Sequence, residues 1–158
     1  MMLGIRQAGH EGEHFLLRLR DLREIKVLEQ EYRNLFESIA DAVIIGDPDS
    51  GQIYQVNRQA CELTGYSAGE IIGGDYDDIH DAPWEAVREE IDAAGGEELG
   101  GHQTLLLTKQ GDSVPVEVHI RIVPRGEDRL YIESAIDISE RKALEERVRN
   151  CATNGTRL

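Results

Sequence analysis

Apolar residues at Leu22, Ile25, Leu28, Tyr32, Leu35 and Ile39 recur every three or four positions, the spacing of a single stripe along a helix. The stripe is close to the a/d pattern of a coiled coil. It leaves two readings open, a helix folded onto its own domain or a seam between two chains. Beyond it the period changes. Ala42-Val-Ile-Ile-Gly-Asp47 is a short apolar run that reads as a buried strand. Pro48-Asp-Ser-Gly51 supplies turn chemistry, and Gln52-Ile-Tyr-Gln-Val-Asn57 reads as the antiparallel partner of a hairpin. Arg58–Gly65 predicts a short helix stopped by glycine, and Ser67–Glu70 starts another turn, closed by Gly73 and Gly74. Ala82–Ala94 predicts a helix with Trp84, Val87 and Ile91 on one face. Three strands follow, at about Gly101–Lys109, Val114–Pro124 and Leu130–Asp137, with turns at Gln110-Gly-Asp112 and Arg125–Asp128. In the middle one Val114, Val116, Val118, Ile120 and Ile122 alternate with Glu117, His119 and Arg121, so one side of the sheet is buried and the other wet. Two strands, short helices and three further strands make an α+β domain with its helices on one sheet face.

One phrase is written twice. Asp21-Leu-Arg-Glu-Ile-Lys-Val-Leu-Glu29 recurs as Asp137-Ile-Ser-Glu-Arg-Lys-Ala-Leu-Glu145. Each copy follows a strand-like run, Phe15–Leu19 and Leu130–Ile136, and each has Asp followed three residues on by Glu, as in a capping box at a helix start. The repeat is a domain long rather than a solenoid unit. The expected organisation is a poorly ordered start and remnant of a preceding repeat over 1–20, an amphipathic leading helix over 21–40, a domain core over 41–137, an exit helix over 138–150 and a disordered tail over 151–158.

Composition narrows the function. The net charge is −14, from 31 acidic and 17 basic residues, with Lys only at 26, 109 and 142. Nucleic-acid binding needs a basic face to neutralise phosphates, so this balance argues against it. An acidic surface suits solubility and also a salt-rich cytoplasm. No apolar run approaches the roughly 20 residues of a membrane span, and the cytoplasm is the expected location. Cys61 and Cys151 read as free thiols. The Asp75, Asp77, Asp78, His80 and Asp81 cluster lacks the glycine and glutamate of a calcium loop and reads as a solvated acidic segment. The absence of a Gly-x-Ser-x-Gly elbow, a phosphate loop or a His-Glu-x-x-His pattern gives no ground for assigning catalysis.

Tyr32-Arg-Asn-Leu-Phe-Glu-Ser-Ile-Ala-Asp-Ala-Val43, Gly51-Gln-Ile53, Val56-Asn57, Leu63-Thr-Gly-Tyr-Ser67, Glu70-Ile71, Gly73, Lys109-Gln-Gly-Asp112, Val114-Pro-Val-Glu117 and Asp137-Ile-Ser-Glu-Arg141 follow one another in the order of a known family. Over Tyr32–Arg149 the chain resembles a PAS domain. The resemblance implies a five-stranded antiparallel sheet of order 2-1-5-4-3, with short helices on one face and amphipathic helices at both ends. It also implies sensing of a small molecule, gas, redox state or light, or simple dimerisation, with the result passed along the exit helix to an output domain such as a histidine kinase. Asp137, Ser139 and Glu140 resemble the family's signal-relay motif. Asn57 reads either as a helix cap or as a brace of the pocket wall.

Light-sensing relatives carry a flavin-reactive Cys where this chain has Tyr76, so flavin–thiol photochemistry is not expected. Haem relatives place an axial His near Arg88, in a helix that contains no His here, and His80 reads as a turn residue. The ligand is therefore left unidentified. A cavity between sheet and helices would be lined by Ile53, Asn57, Cys61, Ile72, Tyr76, Trp84, Val87, Leu105, Val116, Val118, Ile120 and Ile132. Ten acids against Arg88 between Asp75 and Glu98 would favour a neutral or cationic ligand. Three functions remain: a ligand-sensing module, a dimerising relay with a filled core, and a haem or flavin sensor. A homodimer is expected, its seam on Leu22, Ile25, Leu28, Tyr32, Leu35 and Ile39, as is a further copy of the domain upstream.

Overall fold

The computed structural model describes residues 3–155, with side chains over 15–152. The chain divides into a unit ending at Ser38 and a second beginning at Ile39. The first is one helix, α1 (Leu3–Ser38). Phe15–Leu19, expected as a strand, is helical, and the poorly ordered start expected over 1–20 is helix from Leu3 onward. Asp21 lies inside this helix and is exposed, so it does not start one as the repeat suggested. With no Gly or Pro between Gly12 and Ser38, nothing in the sequence interrupts helical hydrogen bonding there.

The second unit runs β1 (Ala42–Gly46), β2 (Ile53–Val56), α2 (Arg58–Thr64), α3 (Ala68–Ile71), a 3₁₀ turn (Tyr76–Asp78), α4 (Trp84–Ala93), β3 (Glu98–Leu107), β4 (Ser113–Arg125), β5 (Asp128–Asp137) and α5 (Ser139–Gly155). The strands form one antiparallel sheet in the order β2-β1-β5-β4-β3. The chain thus adopts the α+β topology expected of it. α5 continues through residues 151–155, expected as tail, while 156–158 lie outside the described residues.

The β1–β2 hairpin turns at Gly51, whose φ of 79° is open to glycine at little cost. A Cβ there would also stand 2.7 Å from the Trp84 ring, so the same residue lets α4 approach the hairpin. α2 ends at Gly65 in the left-handed conformation, its amide bonded to the Cys61 carbonyl. On α4, Trp84, Val87 and Ile91 face inward, as their spacing predicts. They meet Ile44, Ile53, Val116, Val118 and Ile120 from the sheet to form the core. Burying each such side chain stabilises the fold by about 1.5–3 kcal/mol.

Candidate functional site: the polar core and the exit junction

Central strand β5 carries the residues that distinguish this core. Its inner face presents Tyr131, Glu133 and Ala135, all essentially inaccessible to solvent. Register places Glu133 opposite Ile44 of β1 on one side and Ile120 of β4 on the other. A carboxylate among isoleucines must be compensated, because its transfer out of water is strongly unfavourable. The compensation comes from His80, whose Nε2 lies 2.9 Å from Glu133 Oε1, with both side chains wholly buried. His80 Nδ1 lies 3.0 Å from the Tyr76 carbonyl. A carbonyl only accepts, so Nδ1 carries a proton, and one further proton is shared between Nε2 and Oε1. The pair is therefore neutral as a whole wherever that proton sits.

Aromatic rings close the space around the pair. The Tyr76 ring stacks on the His80 imidazole at 3.6 Å between centroids, Trp84 packs against Tyr131 at 4.5 Å, and Tyr76 meets Tyr131 edge-on at 6.3 Å. Trp84 is fixed at both ends, its amide donating to Asp77 Oδ1 and its indole N–H to the Pro48 carbonyl. Burial, and next the Glu133 charge, push both tyrosine phenols far above their ordinary range, so they remain O–H groups.

Asn57 both caps and braces. Its Oδ1 accepts from the amides of Ala60 and Val43, and its Nδ2 donates to the Asp41 carbonyl. The first bond starts α2; the others tie that helix to β1.

Of the expected lining residues, Ile53, Asn57, Tyr76, Trp84, Val87, Val116, Val118 and Ile120 are buried, and Cys61 is half-buried against the core. Three point elsewhere. Ile72 is exposed, and Ile71 enters the core in its place. Leu105 is half-buried opposite Pro115, while Leu106 faces inward. Ile132 faces the outer side of the sheet, lining a groove of about 610 Å³ with Leu99, His119, Arg121 and Ser134. His80, Tyr131 and Glu133 are the functional candidates that sequence reasoning missed. His80 is a buried partner of the sheet, and the available signal was its place beside a segment rich in core residues. A smaller cleft of about 270 Å³ opens beside α3, lined by Ile53, Tyr66, Ile71, Asp75 and Ile79. Among the described residues, no cluster of three or more His, Cys, Asp or Glu is disposed to hold a metal ion. No described helix is long and apolar enough to cross a membrane.

β5 runs directly into the exit helix. Asp137 Oδ1 accepts from the Ser139 amide at 2.8 Å and the Ser139 hydroxyl at 2.5 Å, satisfying a free donor at the start of α5. Glu140 stands exposed in the first turn, where a negative charge suits the helix dipole. Ile138 is buried and donates to the Pro115 carbonyl, and Arg141 bonds Glu117 of β4 at 2.9 Å. The junction is thus held from β5, from the β4 backbone and from a β4 side chain.

The comparisons agree with this architecture. The PAS domain family model matches residues 40–140. A methyl sulfide methyltransferase-associated sensor of Methanosarcina acetivorans is 30% identical over 135 residues, which are 85% of this chain and 13% of that protein. The PAS domain of an HTR-like protein from Haloarcula marismortui superposes with a TM-score of 0.66 at 23% identity, covering 75% of this chain and 98% of that one. A PAS domain of a two-component sensor histidine kinase gives 0.62 at 17% identity, covering 71% and 97%. The chain belongs to the PAS domain family. It spans 13% of the length of the curated relative it matches.

Proposed function

We propose that this domain senses a small neutral or cationic molecule held between sheet and helices, and relays its presence through Asp137-Ile138-Ser139 to the exit helix. One observation carries the reading: β5 bears Tyr131 and Glu133 in the core and continues without a break to Asp137, which caps α5. A group that pulls on Glu133 acts on the strand whose end sets the start of the helix. Cytoplasmic location, a histidine kinase or similar output domain, and a further PAS copy upstream belong to the same reading. The repeat of Asp21–Glu29 in Asp137–Glu145 supports that copy, with α1 containing its exit helix. The test is to take a visible spectrum of the purified chain, denature it, and identify any released molecule by mass spectrometry. A released neutral or cationic compound of defined mass supports ligand sensing. A visible band with released haem or flavin would replace this reading with cofactor sensing.

A second reading is a dimerising relay with a filled core. It is favoured by the close packing of Tyr76, His80, Trp84 and Tyr131, and by the exposure of the whole α1 stripe, from Leu22 at 50% to Leu35 at 69%. The exit helix adds exposed Leu144 and Val148, whereas Ile138 is buried in the domain. In this reading two chains pair through Leu22, Ile25, Leu28, Tyr32, Leu35 and Ile39. Leu28→Glu with Leu35→Glu then yields monomers in sedimentation, and dimers that persist would place the seam elsewhere.

A further inference from the structure

Among the described residues, three buried side-chain atoms have no hydrogen-bond partner: Tyr76 Oη, Tyr131 Oη and Glu133 Oε2. Native interiors leave few such atoms, and each one costs about 1–3 kcal/mol. Here all three belong to one neighbourhood. Tyr131 and Glu133 stand two apart on the inner face of β5, Tyr76 meets Tyr131 edge-on, and both phenols lie within the field of the Glu133 carboxylate. Ile44 and Ile120, flanking Glu133 in the sheet, offer no side-chain donor.

The proton shared by His80 and Glu133 defines what Oε2 requires. If it rests on His80, Glu133 is a carboxylate and Oε2 is an acceptor. If it rests on Oε1, Oε2 is a carbonyl oxygen and again an acceptor. Both phenols keep their protons, so each can donate and accept. The carboxylates Asp47 and Asp75 act on Tyr131 and Asp77 acts on Tyr76, so the field of these carboxylates opposes an anion.

We propose that Glu133 Oε2, Tyr76 Oη and Tyr131 Oη form a binding site for the N–H- or O–H-donating head of a small neutral or cationic molecule, an assignment that rests on the ligand-sensing reading above. The head donates to Oε2 and accepts from a phenol; a carboxylate is refused. The cleft beside α3 is lined by Asp75 and Ile79, which bracket the 3₁₀ turn bearing Tyr76. Glu133 lies on the same strand and the same sheet face as Asp137, so an occupant acts directly on the strand that leads to the exit helix.

Methylammonium is the probe, because it is a compact cation with N–H donors. Tetramethylammonium has the charge without the donors, and acetate has the wrong sign. Melting curves of the full chain are recorded with each at matched ionic strength. The expected result is a saturable rise of several degrees with methylammonium, less with tetramethylammonium and none with acetate. Tyr76→Phe removes only the phenol oxygen, keeps the ring that stacks on His80 and should keep the fold, checked by circular dichroism, while losing at least half of the methylammonium response. Equal effects of the two ammonium ions, an undiminished response in Tyr76→Phe, or no response at all would overturn the site, leaving an ordered water as its sole occupant. Release of a natural ligand without any donor group would also overturn it, yet leave the sensor reading standing.

Discussion

His80 Nε2 and Glu133 Oε1 meet at 2.9 Å across 53 positions of sequence, with neither side chain exposed. The contact joins the segment before α4 to the central strand, and it is the one place where helical layer and sheet are linked through a buried ionisable pair among the described residues. Its energetic character is asymmetric: intact, such a pair adds modestly to stability, but removing one partner strands the other.

His80→Ala should therefore cost about 3–5 kcal/mol, because the buried Glu133 Oε1 is left without the imidazole that compensates it. Glu133→Gln, which keeps shape and polarity, should cost less. Urea denaturation of both single variants and of His80→Ala/Glu133→Ala measures the coupling. Single costs that simply add in the double variant would show that the pair does not act as a unit.

Asn57→Ala should destabilise by about 1–3 kcal/mol for each buried group it strands, the amides of Val43 and Ala60 among them. Asn57→Asp keeps the acceptor for both amides and loses the bond to the Asp41 carbonyl. It should recover part of the loss, read as a melting temperature between those of wild type and alanine variant. No recovery would mean that the brace to Asp41 dominates over the cap.

Gly46 pairs with Tyr131 across β1 and β5, and a Cβ at that position would stand 2.5 Å from the Tyr131 ring. Gly46→Ala should cost about 1–3 kcal/mol by overpacking. Combining it with Tyr131→Leu should relieve part of that cost and not all, since the Gln52 carbonyl stands against the same Cβ. Full relief in denaturant melts would show that only the ring resists.

Stability should fall at both ends of the pH scale. Asp81 is held below the usual carboxylate range, first by the Thr104 hydroxyl and also by the Leu105 amide; Asp47 is held there chiefly by the Asp49 amide. A depressed folded value means that stability is present above the unfolded pKa and is lost as pH falls, here below about pH 4. The buried Tyr76 and Tyr131 phenols are shifted upward by burial, so their contribution is present below the unfolded tyrosine value and is lost above about pH 10. Asp81→Asn should flatten the acid limb and Tyr76→Phe the alkaline limb in denaturation curves recorded against pH. An alkaline limb unchanged in Tyr76→Phe would assign it to other groups.

The site was less legible than the frame around it. Ile71 and Ile72 are adjacent isoleucines at the end of a four-residue helix, too short for periodicity to choose between them. Leu105 and Leu106 are neighbours in a strand whose register shifts between Leu99 and His102, so parity counted from one end fails at the other. In β5 both parities contain apolar residues: Leu130, Ile132 and Ile136 on one side, Tyr131 and Ala135 on the other. Hydrophobicity favours turning Ile132 inward. Pairing of Ile120 with Glu133 and of Val118 with Ala135 turns it outward. Likewise, the Asp21 repeat carries the letters of a helix start, but nothing local separates a helix start from the middle of a long helix.

By itself, the sequence determined the kind and order of the elements from β1 onward, the inward faces of α4 and β4, and, through motif order, membership of the PAS family. These follow from periodicity and turn chemistry, which act over a few residues. Tertiary structure alone decided that Glu133 points into the core and that His80 receives it. A one-residue change in strand register reverses every side chain, and the partner that makes a buried carboxylate tolerable arrives from a distant segment. No local pattern contains that information.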